Sequence, residues 1–337
     1  MGGNHSMVRF TKNFFMLCCA LCIVFMGCAA KPADAVMKLQ LAHEQPEIHP
    51  YHVGAMEFAK LVKEYSKGQM EVTVFPNGTM GKASALAESC SMGTMDFAAV
   101  FSIILEAYSP KFGVLTMPYC FRDWSHADKV LDGPIGDELR ASVESKGIKV
   151  LTFWRNGLAE VHSRMPIRTA ADMKGKKLRI QEGPSYAALS KALGAVTTPM
   201  SFGEVYSALQ LGTVDAQTQT INNIYASKMF EVGKYFTKIN MNFNTQPFIM
   251  SMQLWKSLTP EQQDIVMRAA RGATKAERAY HVKDTKTSYD GFVKGGGKVI
   301  ELNKTELQQW KDACKPVYKD PQFAGVMEIF NRIQKQK

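Results

Sequence analysis

From residue 37 onward, segments with a two-residue repeat alternate with segments whose apolar residues recur at helical spacing, and this alternation most constrains the fold. Met37–His43 (MKLQLAH) alternates apolar and polar residues like an opening strand. Ala55–Tyr65 sets Phe58, Ala59, Leu61, Val62 and Tyr65 on one helical stripe. Met70–Phe75 reads as a strand closed by the turn signal Pro76-Asn77-Gly78, Ala83–Met92 as a helix and Phe97–Phe101 as a buried strand. A helix over Pro134–Lys146 and a strand over Ile148–Trp154 follow. The pattern then repeats at Leu178–Gln181, Ser185–Leu193, Val196–Met200 and Gly203–Leu211. Strands alternating with helices call for crossover connections and α/β layers. Thr259-Pro260-Glu261-Gln262 supplies a capping Thr, a proline at the first helical position and a Gln three residues after the cap. The helix it opens runs past Arg278 towards Ser288, long enough to cross between two lobes. At 337 residues the chain exceeds the usual single-domain size, and no Gly/Ser-rich linker separates its parts. Two α/β lobes with interleaved connections and a hinge are therefore expected.

The N-terminus carries a different signal. Arg9 and Lys12 precede an apolar run from Phe14 to Met26, and small residues lead to Ala33-Asp34-Ala35. That order describes a secretory signal peptide over residues 1–35, cleaved after Ala35. The run is shorter than the ~20 residues that span a bilayer. Cys28, following Phe25-Met26-Gly27, stands as an alternative cleavage point that would leave a lipoprotein. The formal net charge is +10, of which +2 belongs to residues 1–35 (Arg9, Lys12 and Lys31 against Asp34). The remaining excess suits anionic solutes or an anionic surface. The basic residues are dispersed, without an aromatic ladder or zinc-finger spacing, which argues against nucleic acid. Beyond the leader only Cys90, Cys120 and Cys314 remain, and Cys90–Cys120 is the pair to test for a disulfide.

Catalytic and metal motifs are lacking. No G-x-S-x-G elbow, Walker loop or strand-linked G-x-G-x-x-G occurs, and Gly295-Gly296-Gly297 reads as a turn before a short strand. His43, His49 and His52 lie near Glu44 and Glu47, but Pro46 and Pro50 break any helix that would align metal ligands. A strand end and loop beside a cleft is the simpler reading. No catalytic residue, cofactor or metal is expected, and the chain is read as not an enzyme. The informative segment is Lys174-Gly175-Lys176-Lys177-Leu178-Arg179-Ile180. Strand alternation turns Arg179 away from Leu178 and Ile180. A guanidinium at a strand end facing a cleft fits a planar carboxylate through two charge-assisted hydrogen bonds. On this chemistry alone a structural salt bridge is the commoner role for such a residue.

Read together, these stretches resemble the solute-binding proteins of tripartite ATP-independent periplasmic (TRAP) transporters, the DctP type. The resemblance is carried by Phe75-Pro76-Asn77-Gly78 with Met80-Gly81, by Met117-Pro118-Tyr119-Cys120-Phe121-Arg122-Asp123, and by Asp172-Met173-Lys174-Gly175-Lys176-Lys177-Leu178-Arg179. It continues in Pro199-Met200 with Glu204-Val205-Tyr206-Ser207-Ala208-Leu209-Gln210-Leu211-Gly212-Thr213-Val214-Asp215, and in Lys228 with Glu231-Val232-Gly233-Lys234-Tyr235. It implies a periplasmic-binding-protein-like fold: two lobes closing on ligand, spanned by a long helix. Lobe I would comprise 36–156 with 246–284, and lobe II 157–245 with 285–337. It implies a periplasmic receptor that captures a small organic acid and docks on membrane permease subunits. Any membrane contact would run through the permease or a lipid anchor. A secreted enzyme or a sensory receptor on the same scaffold is the alternative.

The resemblance also makes Arg179 the carboxylate clamp. Two departures narrow the ligand. The family's "NGxR" reads Asn156-Gly157-Leu158-Ala159 here, so its arginine is missing, with Arg155 as a substitute. Its "DGQENP" reads Asp215-Ala216-Gln217-Thr218-Gln219-Thr220, which puts Gln219 at a usual asparagine position. Fewer cations imply a monocarboxylate. Trp154, Phe202 and Phe243 are the expected apolar wall, and Asn156, Gln219 and Asn222 the polar partners.

Overall fold

The computed structural model describes residues 36–336. The expected leader, its cleavage after Ala35 and the lipoprotein cysteine Cys28 lie outside the described residues. From Lys38 onward the chain forms one compact unit.

Among the described residues the strands form one nine-stranded mixed sheet. Strand β1 (Met37–Ala42), β2 (Met70–Phe75) and β3 (Phe97–Ala99) build one end. Strands β5 (Lys177–Ile180), β6 (Val196–Pro199) and β7 (Ala216–Gln219) build the other. Between them run β4 (Ile148–Ser163) and β8 (Tyr235–Ser251), of 16 and 17 residues, giving the order β2-β1-β3-β8-β4-β7-β5-β6. These two antiparallel strands pair from Ile148↔Ser251 to Ser163↔Tyr235, a path of about 50 Å at ~3.3 Å per residue. At one end β8 meets β3 through Phe97↔Met250; at the other β4 meets β7 through Glu160↔Gln219. A short β9 (Lys298–Ile300) adds to β8 at Tyr235↔Lys298. Each lobe is thus a sheet end, and the long pair is the hinge.

The pair is irregular where it crosses between lobes. Register shifts fall between Val150/Thr152, Arg155/Gly157 and Ala159/Val161. Gly157 adopts φ +113°, and a Cβ there would come within 2.8 Å of Asn222 Oδ1 and 2.9 Å of Thr220 Cβ, so only glycine fits. Past it, the buried Glu160 carboxylate accepts the backbone N–H groups of Ile239 (2.5 Å) and Asn240 (2.7 Å), pinning the bulge on β8.

Helices cover the sheet. The early ones are α1 (Pro50–Tyr65) and α2 (Ala83–Met92), then α3 (Trp124–Leu131) and α4 (Pro134–Ala141). In the other lobe lie α5 (Pro184–Ala192), α6 (Val205–Leu211) and α7 (Ile221–Ala226). After β8 come α8 (Met252–Ser257), α9 (Pro260–Lys294), α10 (Lys304–Tyr318) and α11 (Ala324–Lys335). Helix α1 begins at Pro50, five residues before the apolar stripe, because His49 caps it and proline is well suited to the first helical turn. Helix α9 opens with the expected Thr259–Gln262 capping box and runs 35 residues, about 52 Å at 1.5 Å per residue. It bonds both lobes. Thr274 Oγ1 accepts from Trp154 Nε1 (3.1 Å) near its middle, and Asp284 accepts from Asn222 Nδ2 (2.7 Å) further on.

Two cores result. In the first lobe Phe58 meets Phe97 and Phe248 edge-on at 5.0 and 4.8 Å, and Trp154 stacks on Phe248 at 4.6 Å. The second packs Phe202, Val205, Leu209, Ile221, Phe236 and Phe292. Cys90 and Cys120 do not form the pair considered from sequence: each is a free, buried thiol, filling its core as a small apolar side chain. Among the described residues no helix is long and apolar enough to cross a membrane.

Candidate functional site

Arg179 lies on β5, flanked by Leu178 and Ile180, and all three are buried. Its position near the C-terminal end of that strand puts it among residues drawn from both sheet ends. Nη2 donates to the Met200 carbonyl at 2.9 Å, while Nε has no partner. Burial lowers its pKa to about 10, and Tyr186, Glu44, Glu204 and Glu182 oppose that shift through space, so the guanidinium stays charged at neutral pH. A buried cation with a spare donor is costly unless something anionic meets it.

The cavity beside Arg179 is formed by residues from both lobes. Glu44, Lys82, Phe101 and Ile104 come from the first, and Gln181, Met200 and Phe202 from the second. Its volume is about 40 Å³. Phe101 and Phe202 face each other across it with ring centres 6.4 Å apart. A second, smaller recess shares Phe101 and Gln181 with the first and is walled by Asn156, Tyr186 and Asn244. Tyr186 donates to Asn244 Oδ1 at 3.3 Å. Buried polar atoms without partners include both ends of the Gln45 amide, His43 Nδ1, Asn156 Oδ1 on β4 and Asn223 Oδ1 on α7. Burial raises the Glu44 pKa, against the pull of Arg179 and Lys82.

Of the residues expected from sequence, Arg179 and Phe202 line one cavity and Asn156 the adjoining recess. The others are engaged elsewhere. Arg155 is ion-paired with Asp128 and lies over the Trp124 ring at 5.1 Å. Trp154 is fully buried in the first core, bonded to Thr274. Gln219 Oε1 accepts from Thr220 N (2.9 Å) and Asn223 Nδ2 (2.7 Å). Asn222 donates to Asp284, and Phe243 packs edge-on against Trp124 at 5.1 Å in a separate groove. Sequence reasoning missed Glu44, Phe101, Gln181 and Tyr186 as lining residues. For Glu44 a signal existed, in the His43–His52 loop at a strand end.

The family described as bacterial extracellular solute-binding protein, family 7 (DctP) matches residues 41–324. The chain belongs to that family. Among its relatives is the 2,3-diketo-L-gulonate-binding periplasmic protein YiaO of Escherichia coli, 32% identical over 94% of this chain and 98% of its own. Two solved structures share the two-lobed fold. The sugar acid binding protein DctPAm of Advenella mimigardefordensis, in complex with galactonate, superposes with TM-score 0.86 at 26% identity, over 89% of this chain and 99% of that one. A TRAP periplasmic solute binding protein of Sulfurospirillum deleyianum with bound succinate does so with TM-score 0.85 at 30% identity, over 90% and 100%.

DctP-family proteins are solute-binding components of transport, and against that family the departures of this chain acquire a structural context. At Ala159, where the family motif carries arginine, the side chain is fully buried on β4. No group of three His, Cys, Asp or Glu is placed to hold a metal among the described residues.

Proposed function

We propose that this protein is the extracytoplasmic receptor of a TRAP transporter and captures a small hydroxylated monocarboxylate by closure of its lobes. The single observation that carries this is Arg179: a buried, charged guanidinium with an unpartnered Nε, facing a cavity walled by both lobes. A carboxylate there forms two charge-assisted bonds, each contributing roughly 1.5–3 kcal/mol. A second anionic group finds no equivalent, because Arg155 is neutralised by Asp128 and position 159 is Ala. Lys82 sits on the exposed rim with Glu44 beside it, so it adds little net positive charge. The unpartnered Asn156 Oδ1 in the adjoining recess favours a ligand bearing hydroxyls over a plain fatty acid. The relatives bound to galactonate or named for 2,3-diketo-L-gulonate support this class; the one bound to succinate marks its limit.

Closure is the output. Ligand touching both lobes stabilises the shut form, which the membrane permease would read. Export by the N-terminal leader, cleaved after Ala35, would put the receptor outside the cytoplasm. The lobes divide in this reading at the expected crossings near 156, 245 and 284. Helix α11 rides on the first lobe, since Arg122 donates to Gln336 O (2.6 Å) and Arg332 pairs with Glu138 (2.7 Å).

Calorimetric titration with galactonate, erythronate, succinate and acetate tests the class. Micromolar or tighter binding of the hydroxylated monocarboxylates, with succinate at least about tenfold weaker, is expected from one missing charged partner. Succinate binding as tightly as galactonate sinks the monocarboxylate reading.

A further inference from the structure

Helix α5, which begins immediately after the Arg179 strand and the Gln181 turn, lacks a cap of its own. Its N-cap is Gly183, which has no side chain to offer, and its first residue is Pro184. Helices normally satisfy their first N–H groups with a Ser, Thr, Asp or Asn at this position. Here an acceptor arrives from the other lobe. Glu106, in the 3₁₀ turn Ser102–Ala107 that follows β3, accepts from both the backbone N–H of Ser185 and its Oγ (2.7 Å) in the first turn of α5. The same oxygen accepts from Thr116 Oγ1 at 2.6 Å, and the two hydroxyls are 2.7 Å apart. Thr116 belongs to the first lobe, in the turn Pro110–Thr116, so the carboxylate is anchored there and reaches across.

The approach of the lobes at this point is close. A Cβ on Gly183 would stand 2.3 Å from Ile103 Cδ1 and 2.5 Å from Ile103 Cγ1. A larger residue there would have to displace the Ile103 side chain. Glu106 and Ser185 line neither of the two recesses described above.

We infer that Glu106 is a latch for the closed receptor, capping helix α5 from the opposite lobe, and that it sets affinity without touching ligand. The inference rests on the lobe-closure reading proposed above. With the lobes apart, the carboxylate returns to water and the helix start is left uncapped. The latch therefore favours only the shut form, and removing it shifts the open–closed balance. A ligand that binds the closed form loses apparent affinity by the factor by which that form is depleted. That factor is the same for every ligand.

The test uses paired spin labels on the exposed positions Lys60 (α1) and Lys191 (α5), with inter-lobe distances measured by pulsed electron resonance. In ligand-free protein, Glu106→Ala is expected to lower the closed-to-open ratio about tenfold, within the range of a lost helix cap. Ser185→Ala is expected to do the same in part, and the double variant to add little to Glu106→Ala. Calorimetry with galactonate and with erythronate should then show one common factor of weakening. An unchanged distance distribution overturns the latch, as does weakening of one probe alone, which would mean direct contact. If Glu106→Ala fails to fold, Glu106→Gln carries the distance measurement, with a smaller shift expected in the same direction. Arg179→Ala separates the two claims. Full binding of galactonate by that variant sinks the receptor site while leaving the ligand-free distances to judge the latch.

Discussion

Two arginines, Arg155 and Arg179, stand 24 residues apart in sequence, each on a strand of the same sheet, yet they live in opposite electrostatic settings. Arg155 sits beside helix α9 with its charge answered: Asp128 pairs with it, Trp124 lies under its guanidinium, and its own N–H donates to Glu277 at 3.1 Å. Arg179 is more deeply buried and less satisfied, with one carbonyl bond and a spare Nε. What makes a cation available for ligand is therefore not its exposure but the lack of an internal carboxylate at bonding distance. Arg155 holds the lobe-spanning helix and strand together; Arg179 is left wanting an anion.

The sharpest way to break this contrast is to delete the second arginine. Arg179→Ala should weaken galactonate binding at least about a hundredfold, the loss of two charge-assisted bonds, measured by calorimetry. Arg179→Lys should recover only part of it, because an ammonium cannot form the parallel pair. Retained affinity in the alanine variant would mean the anion is held elsewhere.

The Arg155 neighbourhood makes a prediction about pH. Burial raises the Glu277 pKa to about 8, although Arg155 and Arg278 pull it down. A carboxyl whose folded value lies above its unfolded one supplies stability that is full below about pH 4.5 and lost as pH rises through about 8. Glu277→Gln should flatten the pH dependence of stability in that window by up to about 1.4 kcal/mol per pH unit, read from urea melts at several pH values. His281, lowered to about 3 by burial and then by Arg155, works the other way: its contribution is full above about 6.5 and lost as pH falls through about 3. An unchanged slope in Glu277→Gln would show that the group is already ionised in the fold.

Smaller effects sharpen the comparison. Arg155→Ala should cost about 2 kcal/mol of stability, between the values for exposed and buried ion pairs, and leave galactonate affinity within about twofold. A large loss of affinity at unchanged stability would return Arg155 to the ligand. Trp154→Phe keeps the stack on Phe248 and loses the bond to Thr274. About 1 kcal/mol less stability with unaltered binding is expected, checked by thermal melts and calorimetry.

Much of the fold could be read locally. Met70–Phe75 and Ala83–Met92 coincide with the expected strand and helix, and Thr259 caps α9 as its capping box requires. The long strand β8 could not. Pro247 and the polar Thr237, Asn242, Thr245 and Gln246 look unlike a buried strand. In the fold, Asn242 bonds the Leu115 carbonyl and Gln246 accepts from Tyr51, more than a hundred residues away. The site divides in the same way. The place of Arg179 on its strand was legible from strand alternation, whereas the pairing of Arg155 with Asp128, on another element, is invisible in its local sequence.

Periodicity, caps and motif order, all short-range properties of the chain, determined the α/β architecture, the long helix and the arginine on its strand. Which polar groups are already satisfied, and which are left facing the cleft, depends on partners brought together from distant parts of the chain. Hydrogen bonds and ion pairs act over a few ångströms, so only the tertiary structure decided that Arg155 pairs with Asp128, that Arg179 Nε is left without a partner, and that Glu106 reaches Ser185.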